Sequence, residues 1–177
     1  MTTRIEFTKP LCIAAMAATF VLVSGTQALA EGDGVVSFSA VVSGTATWDG
    51  QSPVANCQGA GIATHLGLTT SQCTAVLDLA SYGPNPECAA EGTGHALPNV
   101  NTATLIAANG DRLVLVSVDL ACEIEPLTSF HSTGTWTVHP SMSTGRFAGA
   151  TGTGNCDANV DFAAGIYEIR WSGEIAF

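Results

Sequence analysis

Alternation of apolar and polar residues, with a period of two, is the feature that most restricts how this chain can fold. Residues 36–43 and 132–138 alternate in this way, as strands with one buried face do. Residues 156–162 and 166–177 continue the pattern on either side of Ala163-Ala164-Gly165 and predict a C-terminal hairpin. Such repeated short strands predict an all-β protein.

A second hairpin is predicted in the middle of the chain. Residues 102–107 and 112–120 flank Asn109-Gly110, which is the strongest short-range hairpin signal. We expect a type I′ turn, with positive φ at both Asn109 and Gly110.

The connections are less regular than the strands. We predict a polar loop over 49–59 and an extended run over 62–79, either unbroken or broken near 69–72. A stretch rich in glycine and proline, 81–99, predicts a long loop, which is unusual in a small domain.

Composition agrees with an all-β fold and excludes one class of partner. The 177 residues include 19 glycines and 7 prolines, and 46% are hydrophobic, so the chain can bury a core between many tight turns. It carries 15 acidic and 5 basic residues, a formal charge of −10. Binding to a phosphate backbone needs clustered lysine and arginine, so we predict no nucleic-acid partner.

The N-terminal segment predicts export. Basic residues precede an apolar run over 11–23, and Ala28-Leu29-Ala30 supplies small residues for cleavage. We predict a secretory signal peptide over 1–30 and a single mature domain over 31–177, secreted or periplasmic. The apolar run is shorter than the ~20 residues that cross a bilayer, so no membrane span is expected.

Five cysteines follow the predicted cleavage site: Cys57, Cys73, Cys88, Cys122 and Cys156. In an exported protein they favour two disulfides and one leftover thiol. Cys88 precedes the first strand of the central hairpin and Cys122 follows the second, so both lie at the same end of the sheet. We therefore predict a Cys88–Cys122 disulfide.

A bridge between Cys57 and Cys73 is not expected. An unbroken extended run would hold the two residues tens of ångströms apart, at ~3.3 Å per residue. A break near Thr70 would place Cys73 at the far end of a returning strand, which is no closer.

Periodicity alone leaves a closed barrel and a two-sheet sandwich open. Three segments, 63–67, 107–113 and 144–154, stand in the order seen in a group of exported bacterial proteins of mostly unassigned function. The third also resembles the Gly-Thr-Gly-Arg-Phe signature of plant dirigent proteins, with Ser143 in place of the first glycine. This resemblance implies an eight-stranded antiparallel barrel of the allene oxide cyclase/dirigent-like type, with an apolar lumen. It supplies no catalytic residue.

Two side chains within those segments are candidates for chemistry. His65 could face the lumen as an acid or base, or could be a hydrogen-bonded structural histidine. Arg146 could bind an anionic ligand, or could pair with a carboxylate such as Asp111.

No metal site or cofactor is predicted. Asp157-x-Asn159-x-Asp161 and Glu168 have the spacing of a calcium loop, but Phe162 occupies the position that requires glycine. His131 and His139 share a strand face, yet eight residues of strand separate them by about 26 Å.

Two functional hypotheses remain. The first is a non-catalytic exported barrel that binds a small apolar ligand or acts as a secreted or surface accessory protein. The alternative is a cofactor-free cyclase or dirigent-like enzyme, whose lumen would orient a hydrophobic substrate. A lumen cavity of about 300 Å³ or more with converging polar groups would favour a ligand-binding role, whereas a filled interior would favour a structural one.

Overall fold

The computed structural model describes residues 34–177, which are almost entirely β-structure. The signal peptide predicted over 1–30 lies outside these residues. Nine strands follow one another along the chain: β1 (Val36–Thr47), β2 (Val54–Ala63), β3 (Gly67–Leu77), β4 (Gly83–Pro84), β5 (His95–Ala107), β6 (Arg112–Glu125), β7 (Ser129–Val138), β8 (Thr151–Asp161) and β9 (Ile166–Ala176). Three single-turn 3-10 helices lie between them: Leu79–Ser81, Pro86–Cys88 and Gly145–Phe147.

Eight long antiparallel strands close into a barrel. The sheet order is β3-β2-β1-β9-β8-β7-β6-β5-β4, and β3 also pairs with β5, which closes the ring. The short β4 attaches to β5 beside this seam. Closure leaves none of the long strands with an open edge. The prediction of an all-β, eight-stranded antiparallel barrel is confirmed.

The antiparallel order places alternate connections at opposite ends of the barrel. One end, here the plugged end, carries the connections 64–66, 108–111 and 139–150. The other, here the cavity end, carries 48–53 and 78–94, together with the two short turns that precede β7 and β9.

Large apolar side chains fill the lumen near the plugged end. Trp136, Phe147 and Ile175 are fully buried, and Phe38 and Trp171 are nearly so. The rings of Phe38 and Trp136 meet edge to face at 5.4 Å. The Trp136 Nε1–H donates to the backbone oxygens of Asn155 and Ser172 at 3.0 and 3.2 Å. The buried indole therefore keeps its polar atom bonded.

The turn between β2 and β3 lies earlier than predicted. The chain reverses at Thr64-His65-Leu66, and the predicted interruption near 69–72 is wrong because those residues continue β3. His65 has φ of 65° and Gly67 has φ of 71°, and two residues with positive φ reverse the chain within a very short turn. A left-handed histidine carries no clear turn signal in a sequence.

This shift of the turn makes Cys57 and Cys73 direct neighbours. They are register partners on β2 and β3, with a Cα–Cα distance of 5.0 Å, and they form a disulfide. The prediction that this pair cannot meet is wrong, because neither alternative it considered, an unbroken run or a break near Thr70, placed the reversal at 64–66. Cys88 and Cys122 form the other disulfide, with Cα atoms 5.3 Å apart, as strand direction predicts. Cys156 is free and buried.

The central hairpin forms as predicted, but its turn is of a different type. Gly110 has φ of 89°, whereas Asn109 does not have positive φ. The Gly110 N–H donates to Ala107 O at 2.9 Å, and the Ala107 N–H donates to Asp111 O at 2.9 Å. This pattern is a three-residue loop that ends in a left-handed glycine, so the predicted type I′ turn is wrong.

Two predicted loops are shorter than expected. β2 begins at Val54, inside the predicted loop 49–59, and β5 begins at His95, inside the predicted loop 81–99. Pro98 lies within β5, where this strand passes from its pairing with β4 to its pairing with β3. Its missing N–H therefore removes no bond from that side of the ladder. No helix within residues 34–177 is long and apolar enough to cross a bilayer.

Candidate functional site

The half of the lumen nearer the cavity end holds a cavity of about 90 Å³. Its walls are mainly small or aliphatic side chains from strands all around the barrel. They include Ala46, Ala55, Ala75, Leu77, Leu97, Ala121 and Ile169. Alanines at these inward positions leave space that larger residues fill at the plugged end. Sites that hold drug-sized ligands measure about 300–1,000 Å³. The lumen is therefore neither filled nor as open as the size expected of such a site, and the cavity suits only a small molecule.

Three aromatic rings lie together at the cavity end. Trp48 contacts Phe130 and Phe162 with ring centroids 6.3 and 5.4 Å apart, and Phe130 and Phe162 are 6.2 Å apart. Phe130 and Phe162 also line the cavity. The Trp48 Nε1–H donates to Ser52 O at 2.7 Å. The cavity therefore has aromatic surface toward the barrel end and aliphatic walls below it.

A buried carboxyl group lines the inner part of the cavity. Asp119 is 7% exposed, and its two oxygens accept hydrogen bonds from Cys156 Sγ and Ser117 Oγ, both at 2.8 Å. Gly134 lies directly opposite on β7, where a Cβ would overlap the Asp119 carboxyl. Burial raises the pKa of Asp119, and the two hydrogen bonds offset only part of this effect. Burial and the neighbouring carboxyl likewise raise the pKa of the Cys156 thiol.

Three further polar atoms in the lumen are buried without a hydrogen-bond partner among residues 34–177: Ser71 Oγ, Asn101 Oδ1 and Tyr167 Oη. Asn101 and Tyr167 line the cavity. Burial raises the pKa of Tyr167, so the phenol keeps its proton, and the approach of the Ser71 hydroxyl toward a hydrogen bond with Tyr167 opposes the increase. Of the three atoms, Asn101 Oδ1 therefore has the clearest need of a partner. Most buried polar groups in proteins are hydrogen-bonded. The inner end of the cavity is therefore suited to receive a polar group from outside the chain.

Glu123 organises the rim at the cavity end. Its side chain is 2% exposed and accepts hydrogen bonds from Tyr82 Oη at 2.7 Å, Thr93 Oγ1 at 2.5 Å and the Leu127 N–H at 2.6 Å. Burial alone would raise the pKa of Glu123, but these three bonds together lower it. Burial and the adjacent carboxylate raise the pKa of Tyr82 to about 12. Glu123 thus ties the segment 78–94 to β6.

The same segment is fixed to the outside of the barrel by an ionic contact. His131 on β7 lies between two carboxylates, with Nδ1 2.9 Å from Glu91 Oε2 and Nε2 3.1 Å from Asp157 Oδ2. The bond to Glu91 raises the pKa of His131, burial opposes this, and Asp157 adds to the increase. The sequence singled out His131 only to exclude a metal site with His139, and these two partners were not predicted.

We expect this contact to stabilise the protein in acid more than in base. Because the folded pKa of His131 lies above its unfolded value of 6.5, its contribution is complete below about pH 6.5 and is lost as the pH rises through the folded pKa. His131→Gln should lower the free energy of unfolding by about 0.5–1 kcal/mol at pH 5.5. The difference from wild type should shrink by pH 8.5 in urea titrations. His139→Gln is the control, since that ring is hydrogen-bonded to Ser141 and forms no ion pair within residues 34–177. A difference that does not change with pH would contradict the assignment.

The candidates from the sequence lie away from the cavity. His65 is on the exposed turn at the plugged end, with Nε2 3.1 Å from Ser37 O and its ring 5.5 Å from that of Phe177. It does not face the lumen, and a catalytic role for it stays a prediction. Arg146 Nε lies 3.3 Å from Asp111 Oδ2, which is the ion pair considered as an alternative to anion binding.

The acidic residues that have the spacing of a calcium loop bind different partners and do not converge on one point. Asp157 contacts His131, Asp161 Oδ1 accepts the Ala164 N–H at 2.8 Å, and Glu168 pairs with Arg170 at 2.6 Å. Within residues 34–177 no cluster of three or more histidine, cysteine or acidic side chains is arranged to hold a metal ion.

All three segments that carry the family resemblance form connections at the plugged end: 63–67, 107–113 and the region that begins at Thr144. The resemblance therefore bears on the connections that close the plugged end and gives no information about the residues that line the cavity. A scan against protein-family models, a search of curated proteins and a search of solved structures found no match to this chain. The resemblance to dirigent proteins and allene oxide cyclases thus rests on these segments alone.

Proposed function

We propose that this protein is an exported, non-catalytic barrel that binds a small apolar molecule in its lumen. The observation that carries the proposal is the 90 Å³ cavity with aliphatic walls and buried polar atoms at its inner end. A purely structural barrel gains stability by filling its lumen, as the plugged end does with Trp136 and Phe147. The alanines at the cavity end leave the lumen unfilled, which costs packing stability and leaves space for a ligand.

The cavity proposal predicts that toluene, an uncharged ring of small size, stabilises the native protein. A ligand that binds only the folded state raises the melting temperature in proportion to ln(1 + [L]/Kd). We expect the Tm to rise by several degrees across a toluene titration followed by circular dichroism. No rise at the solubility limit of toluene would contradict ligand binding in the lumen.

Filling the cavity should abolish this effect. Ala121 is buried in the cavity wall, and Ala121→Leu adds methyl groups into the space that toluene would occupy. Ala60 is exposed on the outer face of β2, so Ala60→Leu is the matched control and should respond as wild type does. Ala121→Val provides a smaller change if the leucine variant does not fold. The cyclase alternative stays a prediction, and recovery of a small molecule in chemically altered form would favour it.

Export is supported by the two disulfides, which form and persist in oxidising compartments. We expect the secreted or periplasmic protein to begin at Glu31. Intact-mass spectrometry of the exported protein measures this directly. A cytoplasmic protein that retains Met1 would contradict the proposal.

We also propose that the barrel is of the allene oxide cyclase/dirigent-like type. The support is the closed ring of eight antiparallel strands and the position of the three resembling segments at one end. An experimental structure compared with members of those families would test the assignment through strand order and barrel tilt.

A further inference from the structure

Polar side chains from four strands form a layer inside the lumen, between the packed plugged end and the cavity. Asn101 comes from β5, Ser117 and Asp119 from β6, Cys156 from β8 and Tyr167 from β9. Asn101, Asp119 and Tyr167 line the cavity. A ligand in the cavity would therefore touch aliphatic and aromatic walls on its sides and this layer at its inner end.

Asn101 and Asp119 are placed to hold one small polar group between them. In the β5–β6 pairing Asn101 lies opposite Ser117, so Asp119 is its diagonal neighbour. Diagonal neighbours on one face have Cβ atoms about 7 Å apart. A hydroxyl oxygen that makes a hydrogen bond of roughly 2.8 Å to each side chain spans about 5 Å between their polar atoms. One such oxygen can therefore join diagonal neighbours.

The two side chains offer complementary hydrogen-bonding groups. Asn101 Oδ1 is a buried acceptor without a donor among residues 34–177. The Asp119 oxygens each accept one hydrogen bond, from Cys156 and from Ser117, and the carboxyl can also donate one when it carries its proton. Burial raises its pKa and so extends the pH range in which the proton is present. A hydroxyl group can accept from one neighbour and donate to the other.

Charge argues against an ionised ligand. The chain has a formal charge of −10, and a carboxylate placed beside Asp119 would meet a second acidic group in an apolar cavity. An ammonium group would lose its hydration against alanine and leucine walls without an ionised partner to replace it, as long as Asp119 is protonated.

We propose that the lumen site takes a neutral, mainly apolar molecule with one hydroxyl group, which donates to Asn101 Oδ1 and accepts from the Asp119 carboxyl. This inference rests on the proposed ligand-binding function and specifies the class of ligand.

The test compares p-cresol with toluene, which differ by one hydroxyl group, and uses p-toluate and 4-methylbenzylamine as charged analogues. Dissociation constants are measured by isothermal titration calorimetry at pH 5.5. We expect p-cresol to bind about 5- to 10-fold more tightly than toluene, which corresponds to one net hydrogen bond of about 1 kcal/mol or slightly more. The two charged analogues should bind more weakly than toluene.

Variants assign the effect to named residues. Asn101→Leu replaces an unpartnered polar group with an apolar one of similar size, so the barrel should keep its fold. It should bring the affinity for p-cresol down to that for toluene and leave toluene binding unchanged or tighter. Tyr167→Phe is the matched control, because it removes a buried hydroxyl from the same layer and leaves Asn101 and Asp119 in place. It should keep the preference for p-cresol.

The outcomes separate the two proposals. If none of the four compounds binds, ligand binding in the lumen is wrong. If toluene binds as tightly as p-cresol, or if Asn101→Leu keeps the preference, the lumen binds apolar molecules but the hydroxyl inference is wrong. Tightest binding of the amine would overturn the inference in favour of a cation bound by ionised Asp119.

Discussion

Replacing Trp136 by alanine should lower the free energy of unfolding by about 3–5 kcal/mol, the range for truncation of a large core aromatic. Trp136 is fully buried at the plugged end, contacts Phe38 edge to face, and bonds through Nε1 to two backbone oxygens. Truncation leaves a hole and removes the donor from both oxygens. Urea unfolding followed by circular dichroism measures the loss.

The control for this substitution is Trp48→Ala at the cavity end. Trp48 is only partly buried and lies against Phe130 and Phe162, so its truncation should cost clearly less. An equal loss for the two variants would contradict the distinction between a packed plugged end and a loosely filled cavity end. Trp136→Phe separates packing from hydrogen bonding, since it keeps a ring and loses the Nε1 donor.

Removing the Cys88–Cys122 disulfide should lower the free energy of unfolding by about 2–4 kcal/mol. The bridge spans 34 residues of sequence and anchors a segment whose other attachments are the short β4–β5 pairing, a few backbone bonds and side-chain contacts such as Glu91–His131. The double variant Cys88→Ser/Cys122→Ser avoids an unpaired thiol. Urea unfolding measures the stability, and limited proteolysis should show new cleavage within residues 85–94.

The Cys57–Cys73 bridge provides the comparison. It spans 16 residues and joins strands that are already register partners in a hairpin. Cys57→Ser/Cys73→Ser should therefore cost less and should expose no new cleavage site in 85–94. A larger loss from this pair would show that the β2–β3 hairpin depends on its disulfide more than the strand pairing suggests.

Local signals predicted the strands, and the errors are concentrated at turns. Alternation of buried and exposed residues requires only neighbouring positions, so β1, β7 and the two hairpins could be found from sequence. The reversal at His65 could not, because its left-handed φ is imposed on a residue type that gives no turn signal. That one error displaced Cys73 from Cys57 and reversed the conclusion about their disulfide.

The cavity was beyond sequence reasoning, since its size depends on which side chains share a layer across eight strands. One signal was present and could have been used. Asp119 stands in the inward phase of β6, between Ser117 and Ala121, where an apolar residue is expected. A charged residue at such a position indicates a buried polar site. Its partner Cys156 lies far along the chain, and only the closed barrel shows that they meet.

The two strands at the ends of the described chain lie side by side, with Val36 opposite Ile175 and Thr45 opposite Ile166. The second edge of β1 is therefore covered only when β9, the last strand of the described residues, has been synthesised. Contacts of such large sequence separation carry a high entropic cost and fold slowly. This order of assembly delays closure of the barrel until residues 166–176 are available. Under the export that we propose, the preceding strands could cross a membrane before a rigid barrel exists to obstruct them.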